Sequence, residues 1–221
     1  MLPINSIEHG IIGEGSWIGS AAVIITFQGC EVGCEYCNAR HTWDQEVALL
    51  VDPSEVVAKE EKTTPTWALM PMEDVVDRVR QLLPSPGIVY ITGGEPLAYE
   101  LHKLCKVLLD GGYQVAIETS GIHEWTLPQP VWVCVSPKFR NKTSEAVKSN
   151  CLQKADEIRM LVSCPQDIKD LELAMEWINP DVQEVYLQPE SGNQEMFELC
   201  GAVCLMKDWK LSVQLPSLLA R

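Results

Sequence analysis

The sequence contains few basic residues: 17 lysines and arginines stand against 31 aspartates and glutamates, which gives a formal net charge of −14. An acidic surface repels phosphate backbones, so we expect no large nucleic-acid interface. The sequence lacks any apolar run near the ~20 residues that a membrane-spanning helix needs. It begins MLPINSIEHG, without the basic patch and apolar stretch of a secretion signal. These absences predict a cytoplasmic protein, outside the membrane, that acts on a small molecule.

The sequence holds enough apolar residues for a packed core. Hydrophobic residues make up 46% of the 221 residues, which is ordinary for a folded protein and excludes disorder over most of the length. A chain of this length suits one domain, and no internal repeat, low-complexity tract or linker divides it. We therefore predict a single domain over residues 1–221, with an irregular excursion at about residues 38–70.

Short apolar runs alternate with amphipathic segments along the chain. The predicted strands are residues 21–27, 88–92, 115–118, 131–136, 157–162, 184–187 and 210–214. The predicted helices are residues 72–83, 97–110, 167–178 and 194–206. This alternation predicts an α/β fold with a mainly parallel sheet. About six parallel strands with fewer full helices favour an incomplete (partial) β/α barrel, and a doubly wound open sheet is the competing architecture.

Three of the nine cysteines form a compact motif. Cys30, Cys34 and Cys37 follow the first predicted strand with C-x3-C-x2-C spacing. Clustered thiols in a reducing compartment indicate metal ligands or catalysts. A structural zinc site takes four protein ligands, and His41 is the one local candidate for a fourth. Three thiolates on a cubane iron–sulfur cluster instead leave one iron open, which is what a chelating cosubstrate requires.

With the aromatic Tyr36 before its third cysteine, this motif resembles that of the radical S-adenosylmethionine superfamily. Residues 92–96, TGGEP, match a second superfamily motif at the end of the next predicted strand. Members bind S-adenosylmethionine at the open iron of a [4Fe-4S] cluster and cleave it to a 5′-deoxyadenosyl radical. The resemblance implies that Cys30, Cys34 and Cys37 hold the cluster, and that Glu95 contacts the ammonium group of the cosubstrate.

Further motifs follow the order of one family. They are INS (4–6), GEG (13–15), RHTW (40–43), ETSG (118–121), SPK (136–138), QP (188–189) and LSVQ (211–214). The chain is similar to the 7-carboxy-7-deazaguanine synthase family, particularly its enterobacterial-type members, over nearly its whole length. That family contracts 6-carboxy-tetrahydropterin to 7-carboxy-7-deazaguanine with loss of ammonia, a step toward queuosine. The resemblance therefore implies a radical S-adenosylmethionine lyase.

The resemblance also implies binding residues and partners. The implied cosubstrate site comprises Tyr36, Asn38, Gly93, Gly94, Glu95, Ser136, Lys138 and Gln188. The implied substrate site comprises Glu14, Gly15, Thr92 and Glu118. Glu14 and Glu118 accept hydrogen bonds from the N–H edge of a guanine-like ring, because a carboxylate facing two N–H donors makes charge-assisted paired bonds. The radical, not a side chain, abstracts hydrogen. The family is usually homodimeric and takes electrons from a flavodoxin- or ferredoxin-type donor.

The sequence departs from the family pattern at four places. Ile12 replaces a Gln, Thr26 replaces an Arg, Asn38-Ala39 replaces Asp-Thr, and Gln214-Leu215-Pro216-Ser217 replaces Gln-Thr-His-Lys. The missing Thr helps bind Mg²⁺ in the family, which leaves Mg²⁺ a doubtful cofactor here. The missing Arg and His clasp the substrate carboxylate in the family, and a buried anion without such partners is strongly destabilised.

These departures leave three hypotheses open. The first is the family activity, with the carboxylate held by other residues such as Lys142 or Arg159. The second is a radical lyase or related enzyme acting on a 7-deazaguanine compound without that carboxylate, such as one releasing queuine from queuosine or its phosphate. The third is a degenerate, non-enzymatic homologue, against which the intact cysteine and GGEP motifs count.

Overall fold

A computed structural model describes residues 1–61, 63–139, 146–182 and 184–215. The strands are β1 (Leu2–Ile11), β2 (Ala21–Phe27), β3 (Ala68–Met70), β4 (Ile88–Gly93), β5 (Gln114–Thr119), β6 (Val131–Val135), β7 (Glu157–Val162), β8 (Glu184–Pro189) and β9 (Lys210–Leu211). The helices are α1 (Pro53–Ala58), α2 (Met72–Leu82), α3 (His102–Asp110), α4 (Ser149–Lys154), α5 (Pro165–Ala174) and α6 (Gln194–Lys207). Within the described residues, the strands form one sheet in the order β3-β1-β2-β4-β5-β6-β7-β8-β9.

Strands β2 and β4 to β9 pair in parallel, each with the next along the sheet. Strands β3 and β9 stand at opposite ends of the sheet, so the sheet is open. The predicted α/β class, with a mainly parallel sheet that stops short of a closed barrel, is confirmed. Each of the seven predicted strands is present. The carboxyl ends of the parallel strands meet at one edge, where the sequence motifs gather.

The sequence analysis did not predict two of the strands, β1 and β3. Strand β1 pairs antiparallel with both β2 and β3. Its buried stretch includes the polar residues Asn5 and Ser6, which interrupt the apolar alternation that would mark a strand. Strand β3 and helix α1 lie within residues 38–70, so that segment is only partly irregular.

Three predicted element boundaries also differ from the structure. The predicted helix 97–110 begins at His102, because residues 96–98 form a separate 3-10 turn whose Leu97 amide is capped by the Glu95 side chain. The predicted strand 210–214 pairs only over Lys210–Leu211. The predicted helix 167–178 begins at Pro165 and ends in a 3-10 turn over Met175–Trp177.

Helices pack onto the sheet through the apolar faces that their spacing predicts. In α2, Val75, Val76 and Val79 are buried while the charged residues between them face solvent. In α3, Leu104, Cys105 and Leu108 are buried in the same manner. No helix in the described ranges is long and apolar enough to span a membrane.

Candidate active site

A cavity of about 300 Å³ opens at the carboxyl edge of the parallel strands. Its walls come from the segments that follow β2, β4, β5, β6 and β7, together with residues of β8 and the N-terminal Glu14. The lining residues include Cys30, Cys34, Tyr36, Cys37, Asn38, Thr92, Gly93, Gly94, Glu95, Glu118, Ser136, Lys138, Gln188 and Glu14. The structure thus brings together every predicted site residue except Gly15. Gly15 lies beneath the cavity, where a Cβ would come within 2.1 Å of Glu157 Oε1.

The cysteine loop, residues 28–37, leaves the end of β2 and turns into this cavity. Its start is bonded to the following segment, since Gly29 N donates to Thr42 O at 2.7 Å and Cys30 N donates to Trp43 O at 3.0 Å. At its far end, Cys37 Sγ accepts hydrogen bonds from Ala39 N and Trp43 Nε1, both at 3.3 Å. The loop is therefore fixed at its start through its backbone and at its end through the Cys37 thiol.

The donor set of the cysteine loop fits an iron–sulfur cluster. Burial raises the pKa of Cys30 to about 12 and also raises the pKa of Cys34. Thiolates at these positions therefore need a neighbouring cation, which a metal cluster supplies. In the ranges that the structure describes, no three His, Cys, Asp or Glu side chains converge on a single metal ion. Three thiols around one cavity that do not converge on one point suit a cubane, in which each binds a different iron.

The GGE turn after β4 packs backbone to backbone against the cysteine loop. Glu95 N donates to Gly29 O at 2.8 Å, and Gly94 N donates to Phe27 O at 3.0 Å. A Cβ at Gly94 would lie only 2.2 Å from Gly29 O, and Gly93 has a φ of +115°. Only glycine allows both conformation and approach here.

We expect Gly94→Ala to disrupt this contact, because the obstructing atom is a backbone oxygen that cannot rotate away. The variant should bind much less iron after anaerobic reconstitution than the unmodified protein, measured as iron and sulfide per chain. Gly201→Ala is the matched control, since its Cβ would meet nothing within 4 Å in helix α6 and should stabilise the protein by about 1 kcal/mol. Unaltered iron content in Gly94→Ala would contradict the close approach of the two loops.

Glu95 ties the GGE turn to the segment after β5. Its carboxylate is buried and accepts hydrogen bonds from Leu97 N at 3.2 Å, Thr119 Oγ1 at 2.6 Å and Ser120 N at 2.8 Å. The Ser120 hydroxyl donates a further, short hydrogen bond to the same carboxylate. Glu95 lines the cavity as predicted, and its carboxylate already holds two of the cavity walls together.

Polar residues of β6, β8 and the following segments form the opposite wall. Lys138 Nζ donates to Ser136 Oγ at 2.5 Å. Gln188 Nε2 donates to Glu14 Oε2 at 3.0 Å, and Ser212 Oγ donates to Gln188 Oε1 at 2.9 Å. These contacts fix the amide of Gln188 in one orientation.

The floor of the cavity is a buried ionic cluster that we call the acidic floor, made of Glu14, Glu118 and Glu157 around the guanidinium of Arg159. Arg159 is 2% exposed, and its closest contact is Nη2 to Glu118 Oε1 at 2.6 Å. Its Nε lies 3.5 Å from Glu14 Oε2, and its Nη1 lies 3.5 Å from Glu157 Oε1. One cation therefore serves three carboxylates.

The two members of the acidic floor that line the cavity, Glu14 and Glu118, differ in protonation preference. Burial raises the pKa of Glu14, and the opposing charge of Arg159 does not cancel that effect. Burial acts in the same direction on Glu118, but the charge and hydrogen bond of Arg159 outweigh it and hold the pKa of Glu118 below its usual value. Glu118 is thus the more firmly ionised of the pair.

Sequence analysis missed Tyr90 as a site residue. Its hydroxyl donates to Glu118 Oε2 at 3.1 Å, and Thr92 Oγ1 lies 3.4 Å from the same oxygen. Burial and the neighbouring Glu118 raise the pKa of Tyr90 well above its usual value, so the hydroxyl remains a donor. A tyrosine inside an apolar strand needs a polar partner for its hydroxyl, which is the signal that could have identified it.

The positions that depart from the family pattern take different places. Ile12 is buried in a small apolar cluster with Ala22, Tyr90 and Ala116. Asn38, Ala39 and Gln214 line the cavity, whereas Thr26 is not among its lining residues. Pro216, Ser217 and Lys142, the last a proposed carboxylate ligand, lie outside the described residues.

Comparisons with known proteins find relatives that cover most of the chain. The profile of the radical SAM superfamily matches residues 24–128. The 7-carboxy-7-deazaguanine synthase of Escherichia coli K12 is 35% identical over 217 residues, covering 96% of this chain and 95% of the relative. That of Synechocystis is 31% identical, with coverages of 96% and 89%. The crystal structure of QueE from Escherichia coli superposes with a TM-score of 0.90 at 33% identity, covering 97% of this chain and 94% of that one.

The superfamily match spans the cysteine loop and the GGE turn, and the longer matches extend over the acidic floor as well. The resemblance drawn from the motifs is therefore confirmed. The chain belongs to the 7-carboxy-7-deazaguanine synthase family of the radical S-adenosylmethionine superfamily.

Proposed function

We propose that this protein is a 7-carboxy-7-deazaguanine synthase, a lyase that contracts 6-carboxy-tetrahydropterin to 7-carboxy-7-deazaguanine with loss of ammonia, on the route to queuosine. The observation that carries the proposal is one cavity shared by the three cysteines of the cysteine loop and the acid pair Glu14 and Glu118. A radical source and a recognition site for an N–H-rich ring are thus placed side by side.

Cys30, Cys34 and Cys37 would hold a [4Fe-4S] cluster, and its open iron would take the amino and carboxylate groups of S-adenosylmethionine. Bound together, cluster and cosubstrate supply a 5′-deoxyadenosyl radical. Ser136, Lys138 and Gln188 would hold the cosubstrate on the opposite wall. A hydroxyl such as that of Ser136 suits a ribose hydroxyl, and the Lys138 ammonium suits a carboxylate. Tyr36, Asn38, Gly93, Gly94 and Glu95 complete the proposed cosubstrate site.

The substrate ring is proposed to meet Glu14 and Glu118, beside Thr92. Both oxygens of Glu118 accept hydrogen bonds or an ion pair within the protein. In Glu14, Oε2 accepts from Gln188, while no described residue donates to Oε1. Glu14 Oε1 is therefore the open acceptor for a ring N–H, and Glu118 is the fixed charge beside it. This pairing would select rings that present adjacent N–H donors.

The substrate carboxylate needs a partner other than Arg159. The guanidinium faces the acidic floor, where three carboxylates surround it, and is 2% exposed. Among the described lining residues, Lys138 is the one lysine or arginine. An anionic substrate group would therefore have to share Lys138 with the cosubstrate, with the amide of Gln214 as a further donor at the cavity wall.

The charged residues that line the cavity also favour a second candidate function. Glu14, Glu35, Glu95, Glu118 and Asp167 line the cavity against the single described lysine, Lys138. A 7-deazaguanine compound without the carboxylate would fit this acidic surrounding with less charge repulsion. The concrete reaction is release of queuine from queuosine or its phosphate. A non-enzymatic role is the weakest reading, because the radical-generating motifs are intact in a family of enzymes.

Anaerobic turnover separates the two candidates. The reconstituted protein is incubated with 6-carboxy-tetrahydropterin, S-adenosylmethionine and a reductant, and mass spectrometry follows 7-carboxy-7-deazaguanine and 5′-deoxyadenosine. We expect both products to form together. Slow, substrate-independent 5′-deoxyadenosine alone would overturn the synthase assignment, and stimulation by queuosine or its phosphate would then establish the second candidate.

The remaining proposals concern assembly and partners. We propose a single domain over residues 1–221 that acts as a cytoplasmic homodimer and receives electrons from a flavodoxin- or ferredoxin-type donor. The resemblance to the family supports these proposals on domain organisation, location, oligomeric state and electron donor. Mg²⁺ stays a doubtful cofactor, since Ala39 stands at the cavity wall where the family has the Thr that helps bind Mg²⁺.

A further inference from the structure

The ammonium of Lys59, just after helix α1, lies among oxygens of which four belong to described residues; we call these four the oxygen cage. Lys59 Nζ donates to Thr64 O and Thr66 O, both at 2.9 Å, and to Asn5 O and Asn5 Oδ1, both at 3.1 Å. Asn5 is fully buried in β1. A lysine that merely covered the surface would keep its ammonium in water. Here the ammonium instead joins two segments nearly sixty residues apart, as a bound cation would.

The oxygen cage continues into a buried amide chain that reaches the cysteine loop. Asn5 Nδ2 donates to Gln28 Oε1 at 2.8 Å, and Gln28 is also fully buried. Gln28 Nε2 then donates to Asp44 O at 2.6 Å and to His41 O at 3.1 Å. Asn5 Oδ1 accepts from Lys59, while Asn5 Nδ2 also donates to Thr64 O at 3.1 Å and Thr66 O at 3.2 Å. Together these bonds give the Asn5 amide one favourable orientation, and Gln28 is oriented in turn.

Segment 41–45 is the part of the chain that this network holds in place. From it, Thr42 O and Trp43 O accept the amide hydrogens of Gly29 and Cys30. The same segment provides Trp43 Nε1, which donates to Cys37 Sγ. The first and third cysteines of the loop are therefore both bonded to a segment whose carbonyls are fixed through Gln28.

We propose that Lys59 is a positioning residue for the iron–sulfur cluster, closing the oxygen cage so that the Asn5–Gln28 amide chain holds segment 41–45 against the cysteine loop. The inference rests on the proposed function only in assigning the cluster to the three cysteines, and it does not depend on the substrate. Without the ammonium, Asn5 Oδ1 loses its donor. The Asn5 amide is then held only through Nδ2, which donates to Gln28 Oε1, Thr64 O and Thr66 O, so the amide chain is fixed less firmly.

The test compares Lys59→Met with Lys103→Met, an exposed lysine of helix α3. In the full chain before cluster loading, amide hydrogen exchange at Gly29 and Cys30 is expected to be about tenfold faster in Lys59→Met. After loading, a chelator should remove iron about tenfold faster. Lys103→Met should match the unmodified protein in both measurements, and the thermal midpoint of each unloaded variant reports whether it is folded.

Lys59→Gln serves as the second variant, because its amide supplies fewer donors to the oxygen cage without removing polarity. Should Lys59→Met fail to fold, Lys59→Gln decides by the same two measurements. Unchanged exchange at Gly29 and Cys30, or unchanged iron loss, in a folded variant would overturn the proposal. Failure of the protein to turn over 6-carboxy-tetrahydropterin would reject the synthase assignment and leave these measurements unaffected.

Discussion

Cys34→Ala is expected to abolish cleavage of S-adenosylmethionine, reducing 5′-deoxyadenosine formation by more than about a thousandfold, which corresponds to about 4 kcal/mol at 1.36 kcal/mol per decade. Each of the three cysteines would bind a different iron, and no described His, Cys, Asp or Glu completes a substitute set. The measurements are iron and sulfide per chain after anaerobic reconstitution and 5′-deoxyadenosine by mass spectrometry.

The matched control is Cys204→Ala, which removes a buried thiol of helix α6 that is not among the residues lining the cavity. It should lose some stability through the small void it creates, and should bind iron as the unmodified protein does. A Cys34→Ala variant that still bound a full cluster and cleaved the cosubstrate within tenfold of the normal rate would remove Cys34 from the proposed ligands.

Arg159→Met is expected to destabilise the protein by about 3–5 kcal/mol, because it leaves the acidic floor without its cation. The carboxylates of Glu14, Glu118 and Glu157 would then repel one another in a buried setting. The free energy of unfolding is measured by urea titration at neutral pH, in the unloaded full chain. Adding Glu118→Gln to Arg159→Met should recover part of the loss, because the closest carboxylate, 2.6 Å from the guanidinium, is then neutral.

Arg80→Met is the control for this second prediction. Arg80 forms an exposed ion pair with Asp77 at 3.2 Å, three positions earlier in helix α2. Its removal should change stability by no more than about 0.5 kcal/mol. A loss below about 1 kcal/mol in Arg159→Met would show that the acidic floor does not depend on this guanidinium, in conflict with the breaking of a buried pair.

Much of the cavity was predictable because its residues follow strands. In a parallel sheet all carboxyl ends meet at one edge, so locating Cys30, Glu95 and Lys138 after three predicted strands was enough to bring them together. Their contacts were less predictable. The Glu95 carboxylate accepts hydrogen bonds from Thr119 and Ser120. These bonds depend on side-chain directions, which spacing along the chain does not specify.

Two other features exceeded what spacing can specify. Asn5 can be buried in β1 because its amide and ammonium partners come from residues far along the chain. Since spacing does not reveal such partners, the polar residues Asn5 and Ser6 made β1 hard to predict from the sequence. Arg159 lies in a strand that was predicted. Whether its guanidinium pairs with a substrate anion or with the protein's own acids depends on three carboxylates from separate elements, which the sequence pattern does not reveal. Helix α1 is different, because the signal for it is local. Asp52 caps it and Glu55 bonds back to Asp52, a pattern from which the sequence could have predicted the helix.

Contacts of the acidic floor and the residues beside it join positions that lie far apart in the sequence, and this has a consequence for biosynthesis. Gly15 N donates to Ser212 Oγ at 3.2 Å across 197 positions, and Glu14 meets Gln188 across 174. An emerging polypeptide that has released only residues 1–110 already contains the three cysteines but lacks the wall facing them. The enclosed site comes into being only after residues up to Ser212 have left the ribosome, so a complete site can receive iron and sulfide only from that point on.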